Sequence, residues 1–361
     1  MKRAWLVVPL FVASIPQCSS TPSPTTDGGG DDGGGVEGGC AKDCLGGACN
    51  AGMCAPVALA TKQGGPIGLA QLGDRVYWTD YGSSDVTSAD KLDASLHVLG
   101  TSPLIDQPWG IAADDSKIYV ANSGGASTVI ACQPDQCGLS GVLDDGAVQP
   151  TAVSLAGNFL YYMEPYIGEI YRTPKYGGVV QDLATTSFFY GDELFAFVVS
   201  DGTYVYWSEP NTDKIRRQAV AAQPVDVFTL SPGSFPSALL IDGTTLYFVA
   251  QGSGNADGVI GYGTLDGTGG AQTLASKQQL PWGLAVDANY LYWTTSGTYG
   301  ANDVPNGDGG VYRCEKVNCT TPVQLAGNLA DARGIAVDDG AIYFTTYATG
   351  NGDGTIWRLA K

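Results

Sequence analysis

The sequence predicts an all-β fold, a seven-bladed β-propeller, on three observations. A motif of short apolar strands recurs seven times at intervals of 41 to 51 residues. No repeat shows helical periodicity. A strand near the N-terminus matches, in register, the strand that the last repeat lacks.

The repeat is clearest at Pro281-Trp282-Gly283-Leu284-Ala285-Val286-Asp287, followed by Tyr290-Leu291-Tyr292-Trp293-Thr294. With Tyr292 as marker, the equivalents are Tyr77, Tyr119, Tyr161, Tyr206, Tyr247 and Tyr343. Blade two illustrates the four strands, expected at 110–113, 117–121, 128–132 and 141–143. The first turn is built from Asp114-Asp115-Ser116 here, Gly157-Asn158 in blade three, Asp242-Gly243 in blade five and Asp338-Asp339-Gly340 in blade seven. These residue types tolerate positive φ. The second strand is almost continuously apolar, as in Val76-Tyr77-Trp78 and Leu246-Tyr247-Phe248. Such a strand expects cover on both faces, which stacked blades supply.

Blade seven reaches only its third strand, Thr355-Ile356-Trp357-Arg358-Leu359, before the sequence stops. Pro56-Val57-Ala58-Leu59-Ala60 parallels Pro322-Val323-Gln324-Leu325-Ala326, the outer strand of blade six, and each begins 21 residues before a marker tyrosine. The N-terminal segment is therefore expected to supply the missing strand, which closes the ring and removes two open edges.

Four segments are expected: 1–17, 18–39, 40–54 and the propeller, 55–361. Lys2-Arg3 precede an apolar run over 4–15, too short to span a bilayer, which reads as a secretory signal. Cys18 is the candidate lipidation site, although Gln17 stands where a lipobox has a small residue; cleavage and release is the alternative. Residues 19–39 are Ser, Thr, Pro, Gly and Asp with little else, a composition for a disordered tether. Such a tether spans roughly 25 Å as a flexible chain.

Cys40, Cys44, Cys49 and Cys54 lie in fifteen residues, with spacings that fit no common zinc pattern, so two disulfides are expected there. Cys132/Cys137 and Cys314/Cys319 share one spacing and one place, between the third and fourth strands of blades two and six. They read as hairpin staples. Four pairs leave Cys18 alone among nine cysteines, which favours lipidation over a free thiol.

The formal charge is −18, and side chains without Lys2 and Arg3 sum to −20. This disfavours nucleic acid and anionic lipid head groups as partners. The membrane is then reached only through a lipid anchor, and a monomer is expected.

Tyr77-Trp78-Thr79-Asp80 spells the YWTD repeat, with Tyr206-Trp207-Ser208-Glu209 and Tyr292-Trp293-Thr294-Thr295 as variants. With Gly283-Leu284-Ala285-Val286-Asp287 and Gly334-Ile335-Ala336-Val337-Asp338, residues 56–361 resemble the YWTD and NHL propeller families. The resemblance implies the fold and leaves the function open. Residues 40–54 resemble a fragment of an EGF-type module, which implies Cys40–Cys49 and Cys44–Cys54; the spacing alone leaves the pairing open.

Lyases of related propeller fold use histidines for metal binding or base chemistry, whereas the only histidine here is His97, in an outer strand of blade one. The inner strands carry no carboxylate before their turn, so a calcium cage in the channel has no ligands. No catalytic residue and no resident metal or cofactor is therefore expected. Asn255/Asp257, Asn306/Asp308 and Asn351/Asp353 recur before the third strands of blades five to seven. They suit tight turns, with rim calcium as the alternative.

These features point to a cell-envelope lipoprotein whose propeller is a binding or scaffold module for a protein, glycan or small molecule. A secreted hydrolase or lyase with an unrecognised site and a purely structural surface protein are the alternatives. The binding position is expected at the channel mouth, ten residues before each marker: Ile67, Trp109, Thr151, Phe195 (one residue off register), Ser237, Trp282 and Arg333. These vary where core and turn residues repeat, and tryptophan with arginine suits a binding hot spot. The competing reading is that Trp109 and Trp282 pack between blades.

Overall fold

The computed structural model describes residues 40, 43–50, 52–125, 127–186, 196–316 and 319–361. Cys18, the signal at 1–17, the tether at 18–39 and Phe195 lie outside them. Among the described residues there are seven four-stranded antiparallel sheets and one two-stranded ribbon, Cys49–Asn50 with Met53–Cys54. The seven sheets are the blades of a propeller. Blade one runs outward from Pro66–Leu72 through Arg75–Asp80 and Asp85–Asp90 to Leu96–Thr101.

The apolar second strands are covered on both faces. Val76, Trp78 and Tyr119 are fully buried, as are Tyr292 and Trp293. The core is a series of layers between blades: Tyr77 and Val86 of blade one pack with Ile118, Val120 and Ile130 of blade two. Burial of this apolar surface is the main stabilising term.

Val57–Gln63 pairs antiparallel with Gly354–Ala360 as the outer strand of blade seven. Its last residue does what its counterpart does elsewhere. Gln63 Oε1 accepts from Trp78 Nε1 at 3.0 Å, and Gln278, ending the outer strand of blade five, accepts from Trp293 Nε1 at 2.8 Å. Each glutamine thus joins its own blade to the next one.

The first turns differ from expectation at two places. Gly157 and Gly243 do have positive φ, 56° and 58°, but no residue of Asp114-Asp115-Ser116 or Asp338-Asp339-Gly340 does. In these turns one oxygen of the leading aspartate accepts the backbone N–H groups of Ser116 and Lys117, or of Gly340 and Ala341. The carboxylate bends the chain, so no left-handed residue is needed.

The second oxygen of each aspartate is used between blades. Asp114 accepts from the Tyr119 hydroxyl at 2.9 Å and meets Lys175 of the next blade at 2.8 Å. Asp287 takes Tyr292 and Lys361, and Asp338 takes Tyr343 and Lys91. Asp242 meets Lys316 in the same relation. Burial opposes ionisation of Asp287, but Lys361 and the N–H groups of Tyr290 and Asn289 hold its carboxyl well below the usual range. Each part-exposed ion pair contributes about 1 kcal/mol or less; the repetition registers blade against blade.

The cysteine pairs are Cys40–Cys49, Cys44–Cys54, Cys132–Cys137 and Cys314–Cys319. Each hairpin pair closes a loop so short that it contributes roughly 2 kcal/mol in the chain-entropy model. The N-terminal pairs pack on blade seven: Cys44 and Cys54 are buried in one cluster with Phe344, Leu359 and Ala360. Arg358 donates to the Leu45 carbonyl at 2.5 Å and also to the Lys91 carbonyl. The cystine-rich segment thereby braces the blade that the N-terminal strand completes.

Deleting residues 1–63 is expected to lower the thermal midpoint by roughly 10 °C or more, because Gly354–Ala360 becomes an open edge and Trp78 loses its acceptor. An unchanged, cooperative melt by circular dichroism would show that closure contributes little.

Candidate functional site at the channel mouth

Two requirements of the fold build the mouth. The first is close approach of the inner strands. A Cβ on Gly68 would stand 2.8 Å from the Trp109 carbonyl oxygen of the next blade, and one on Gly283 would stand 2.4 Å from that of Arg333. Only glycine fits such contacts. The freed space is bridged by hydroxyls: the Gly68 N–H donates to Thr79 Oγ1 at 3.0 Å, which donates to the Trp109 carbonyl at 2.7 Å. Gly283, Thr294 and Arg333 repeat this relay at 2.9 and 2.5 Å. The threonine of Tyr77-Trp78-Thr79-Asp80 thus positions the mouth residue of the neighbouring blade.

The second requirement is a sharp entry into each inner strand. Gln107, Gln149, Phe235, Leu280 and Asp331, each just before an inner strand or the residue that begins its approach, all have φ between 44° and 57°. Left-handed backbone at a residue other than glycine costs about 1 kcal/mol or more. Its recurrence in five blades makes it part of the fold.

The expected mouth residues divide into two groups. Ile67, Trp109 and Trp282, from blades one, two and six, form one buried cluster with Tyr81 and Tyr347 packed against it. Both tryptophans are 8 % exposed, so they fill the mouth and offer a partner little surface. Tyr81 meets Trp109 edge-on at 5.5 Å. The Arg333 guanidinium lies 4.7 Å from the Trp282 ring and 3.7 Å from the Tyr347 ring. Asp331 holds it with bonds of 2.7 to 3.1 Å. Burial and then the Asp331 carboxylate push the neighbouring Tyr299 hydroxyl up to about 12. Thr151 and Ser237, in blades three and five, are buried with hydroxyl oxygens that have no hydrogen-bond partner.

Sequence reasoning missed the acids that end the second strands, three residues after the marker. Asp80 accepts the Gly64 N–H at 2.7 Å, and Glu164 accepts the N–H of Val148. Asn122 donates to the Leu104 carbonyl at 3.3 Å. Each residue clamps the connection that enters its own blade. Glu209 instead accepts from Trp207 Nε1, Thr212 and Arg216. A polar residue closing an apolar strand at one fixed offset was the available signal. Burial raises the Glu164 carboxyl to about 7, with Asp144 and Glu169 adding to the shift against the Val148 N–H.

The Asn/Asp loops of blades five to seven are clasps. Asp308 accepts the Thr298 N–H and hydroxyl, both at 2.7 Å, and Asp257 and Asp353 hold Ser253 and Thr349 alike. Among the described residues, the one close group of potential metal-ligating atoms is the sulfurs of Cys40, Cys44 and Cys54, all within disulfides. His97 is exposed in the outer strand of blade one, its ring against the Asp135 carbonyl. Two hollows of about 10 and 90 Å³ lie on the turn face, lined in part by Thr203 and by Gln133.

No protein-family model and no curated sequence matches the chain. Its fold is similar to a streptogramin B lyase, with a TM-score of 0.64 and 15% identity over 85% of this chain and 97% of that one. It is also similar to a catalytically inactive histidine-to-alanine variant of virginiamycin B lyase from Staphylococcus aureus with quinupristin, at 0.58 and 16%, covering 85% and 99%. The extracellular domain of BT4673 from B. thetaiotaomicron aligns at 0.60 and 11%, over 85% of this chain and 40% of that one. Identities this low establish the propeller fold alone.

Replacing Glu164 by Gln tests its environment. Its folded carboxyl binds a proton more tightly than the unfolded chain does, so its contribution is full below about pH 4 and is lost as pH rises through 7. Glu164→Gln keeps an acceptor for Val148 and removes the charge. Its stability relative to wild type should be near zero at pH 4 and favourable by on the order of 1–3 kcal/mol at pH 8. A constant difference across that range would place the carboxyl in water.

Proposed function

We propose that this protein is an exported propeller that works as a binding or scaffold module, engaging its partner with the mouth face: the connections into the inner strands and the loops between second and third strands. Four disulfides suit an oxidising compartment, and the likeness to an extracellular domain agrees with export. Cys18 as a lipid anchor completes the reading. Intact mass of the mature chain should start at a diacylated Cys18, and a start beyond it would make the protein a released one.

Phe235 carries the choice of face. It is the only aromatic residue with positive φ among the described residues, at 50°, yet the residue is 37 % exposed. The Asp213 carboxylate of the preceding blade fixes it, accepting the N–H groups of Phe235 at 3.0 Å and Gly233 at 2.9 Å. The fold requires the bend, which Gln107 and Gln149 also make, but it does not require an aromatic ring there. A clamped, strained and part-exposed aromatic residue is the form of an interface anchor. Tyr166, Ile167 and Val304 are also exposed on loops of this face.

Catalysis has less support. The buried acids at the mouth hold loops, the tryptophans fill the channel entrance, and His97 lies in an outer strand.

Immobilised wild type and Phe235→Gly should differ: the variant keeps its thermal midpoint, since glycine accepts this φ freely, and loses specifically captured envelope proteins about tenfold. Trp282→Ala should instead lower stability by about 3–5 kcal/mol. Capture that survives Phe235→Gly but is abolished by Tyr176→Ser on the turn face would overturn the assignment.

A further inference from the structure

The residue that ends each second strand stands directly opposite a residue at the start of the third, across the mouth-face hairpin. In blade four this pair is Glu209 and Lys214, and Arg216 brings a second cation to 3.5 Å from Glu209. In blades two, five, six and seven both positions are uncharged. Blades one and three instead set acid against acid, Asp80 with Asp85 and Glu164 with Glu169. Directly opposed residues share one face of the sheet, and like charges there repel. Asp80 and Glu164 are 1 % and 2 % exposed, so water screens little of that repulsion.

Among the described residues no ion pair reaches any of these four acids. Asp80 accepts the N–H groups of Gly64 and Ser83 at 2.7 and 3.3 Å, and Thr87 donates to Asp85 at 2.8 Å. Tyr81, Tyr347 of blade seven and Asp106 of blade two surround this pair; Arg333, which lies against Tyr347, is held by Asp331. Around Glu164 and Glu169 stand Asp144 of blade two, Asp182 of the outer strand, and Tyr162 stacked on Tyr171. The groups facing the two pairs are thus acids and phenols. Burial and then Asp80 push the Asp85 carboxyl up to about 6 against the Thr87 hydroxyl, as burial raises Glu164 to about 7.

We propose that these two hairpins are proton-operated catches on the mouth face: with one proton on each pair the hairpin is shut, and loss of that proton sets two carboxylates face to face and opens it. Each catch also governs a joint of the ring. Gly64 follows the strand that completes blade seven, and Val148 leads from blade two into blade three. Tyr166 and Ile167 are exposed on the second hairpin, so its opening alters the displayed surface. An acid raised above its unfolded value stabilises the closed form fully below about pH 4, and that contribution is lost as pH rises through about 6 at Asp85 and about 7 at Glu164. The catches are therefore shut in mildly acid surroundings and slack above neutrality. This holds for the hairpins themselves and does not require the mouth face to bind a partner.

Amide hydrogen exchange of the full chain at about pH 5.5 and about pH 8.5, corrected for the intrinsic rate at each, reads the opening. From the lower to the higher pH, opening should rise about fourfold at residues 81–84 and about tenfold or more at 165–168, while the blade-four hairpin at 210–213 stays within about twofold. Asp85→Asn should abolish the response of the first hairpin alone, and Glu164→Gln that of the second alone. Glu169→Lys, which gives blade three the pairing of blade four, should hold 165–168 closed at both pH values. Asp85→Asn and Glu164→Gln keep the shape of the side chain, so they decide the matter if Glu169→Lys does not fold. A wild-type response that is absent, that is matched by blade four, or that survives Asp85→Asn and Glu164→Gln in their own hairpins overturns the proposal.

Discussion

The approach of neighbouring inner strands around the axis is the constraint on which the rest of this structure depends. At Gly110 a Cβ would come within 2.2 Å of the Thr151 carbonyl oxygen, and at Gly334 within 2.5 Å of that of Ile67. Blades this close leave no room for a side chain between them, so glycine recurs and a hydroxyl from the second strand bridges the gap. The Gly334 N–H uses Thr345 in this way, and in blade four the Phe197 N–H uses Ser208. A substitution at one of these glycines would displace the next blade rather than merely strain its own turn.

The turn face registers the ring by a different device. A carboxylate at the first turn bends its own hairpin with one oxygen and takes the marker tyrosine and the next blade's lysine with the other. This explains why acids recur at a position where glycine alone would have made the turn. It also commits four lysines, Lys91, Lys175, Lys316 and Lys361, to ion pairs on the turn face.

The filled mouth shapes what the molecule can do. Trp109, Trp282 and Ile67 close the entrance as a packed cluster, with Arg333 held among aromatic rings. The loops above the cluster can vary without disturbing the blades. The similar folds include lyases and an extracellular domain, and at such low identities they share with this chain the propeller fold alone. Clamping residues such as Asp80, Glu164 and Asp213 make those loops a defined surface.

Much of this was legible in the sequence. The repeat of Tyr77 through Tyr343 determined the blade number, and the match of Val57-Ala58-Leu59 to the outer strand of blade six determined how the ring closes, because strand period and register are properties of local order along the chain. Tertiary structure alone decided which variable residues face inward. Trp109 and Trp282 share one register position with Thr151 and Ser237, yet two fill a shared cluster and two bury unpartnered hydroxyls, since each environment is made by other blades and their loops. It also decided that Asp114 bends its turn and latches Lys175, sixty-one residues later, and that Phe235 holds a left-handed conformation. Repeats encode what each blade does for itself; what one blade does to the next depends on distances around the ring that no local pattern contains.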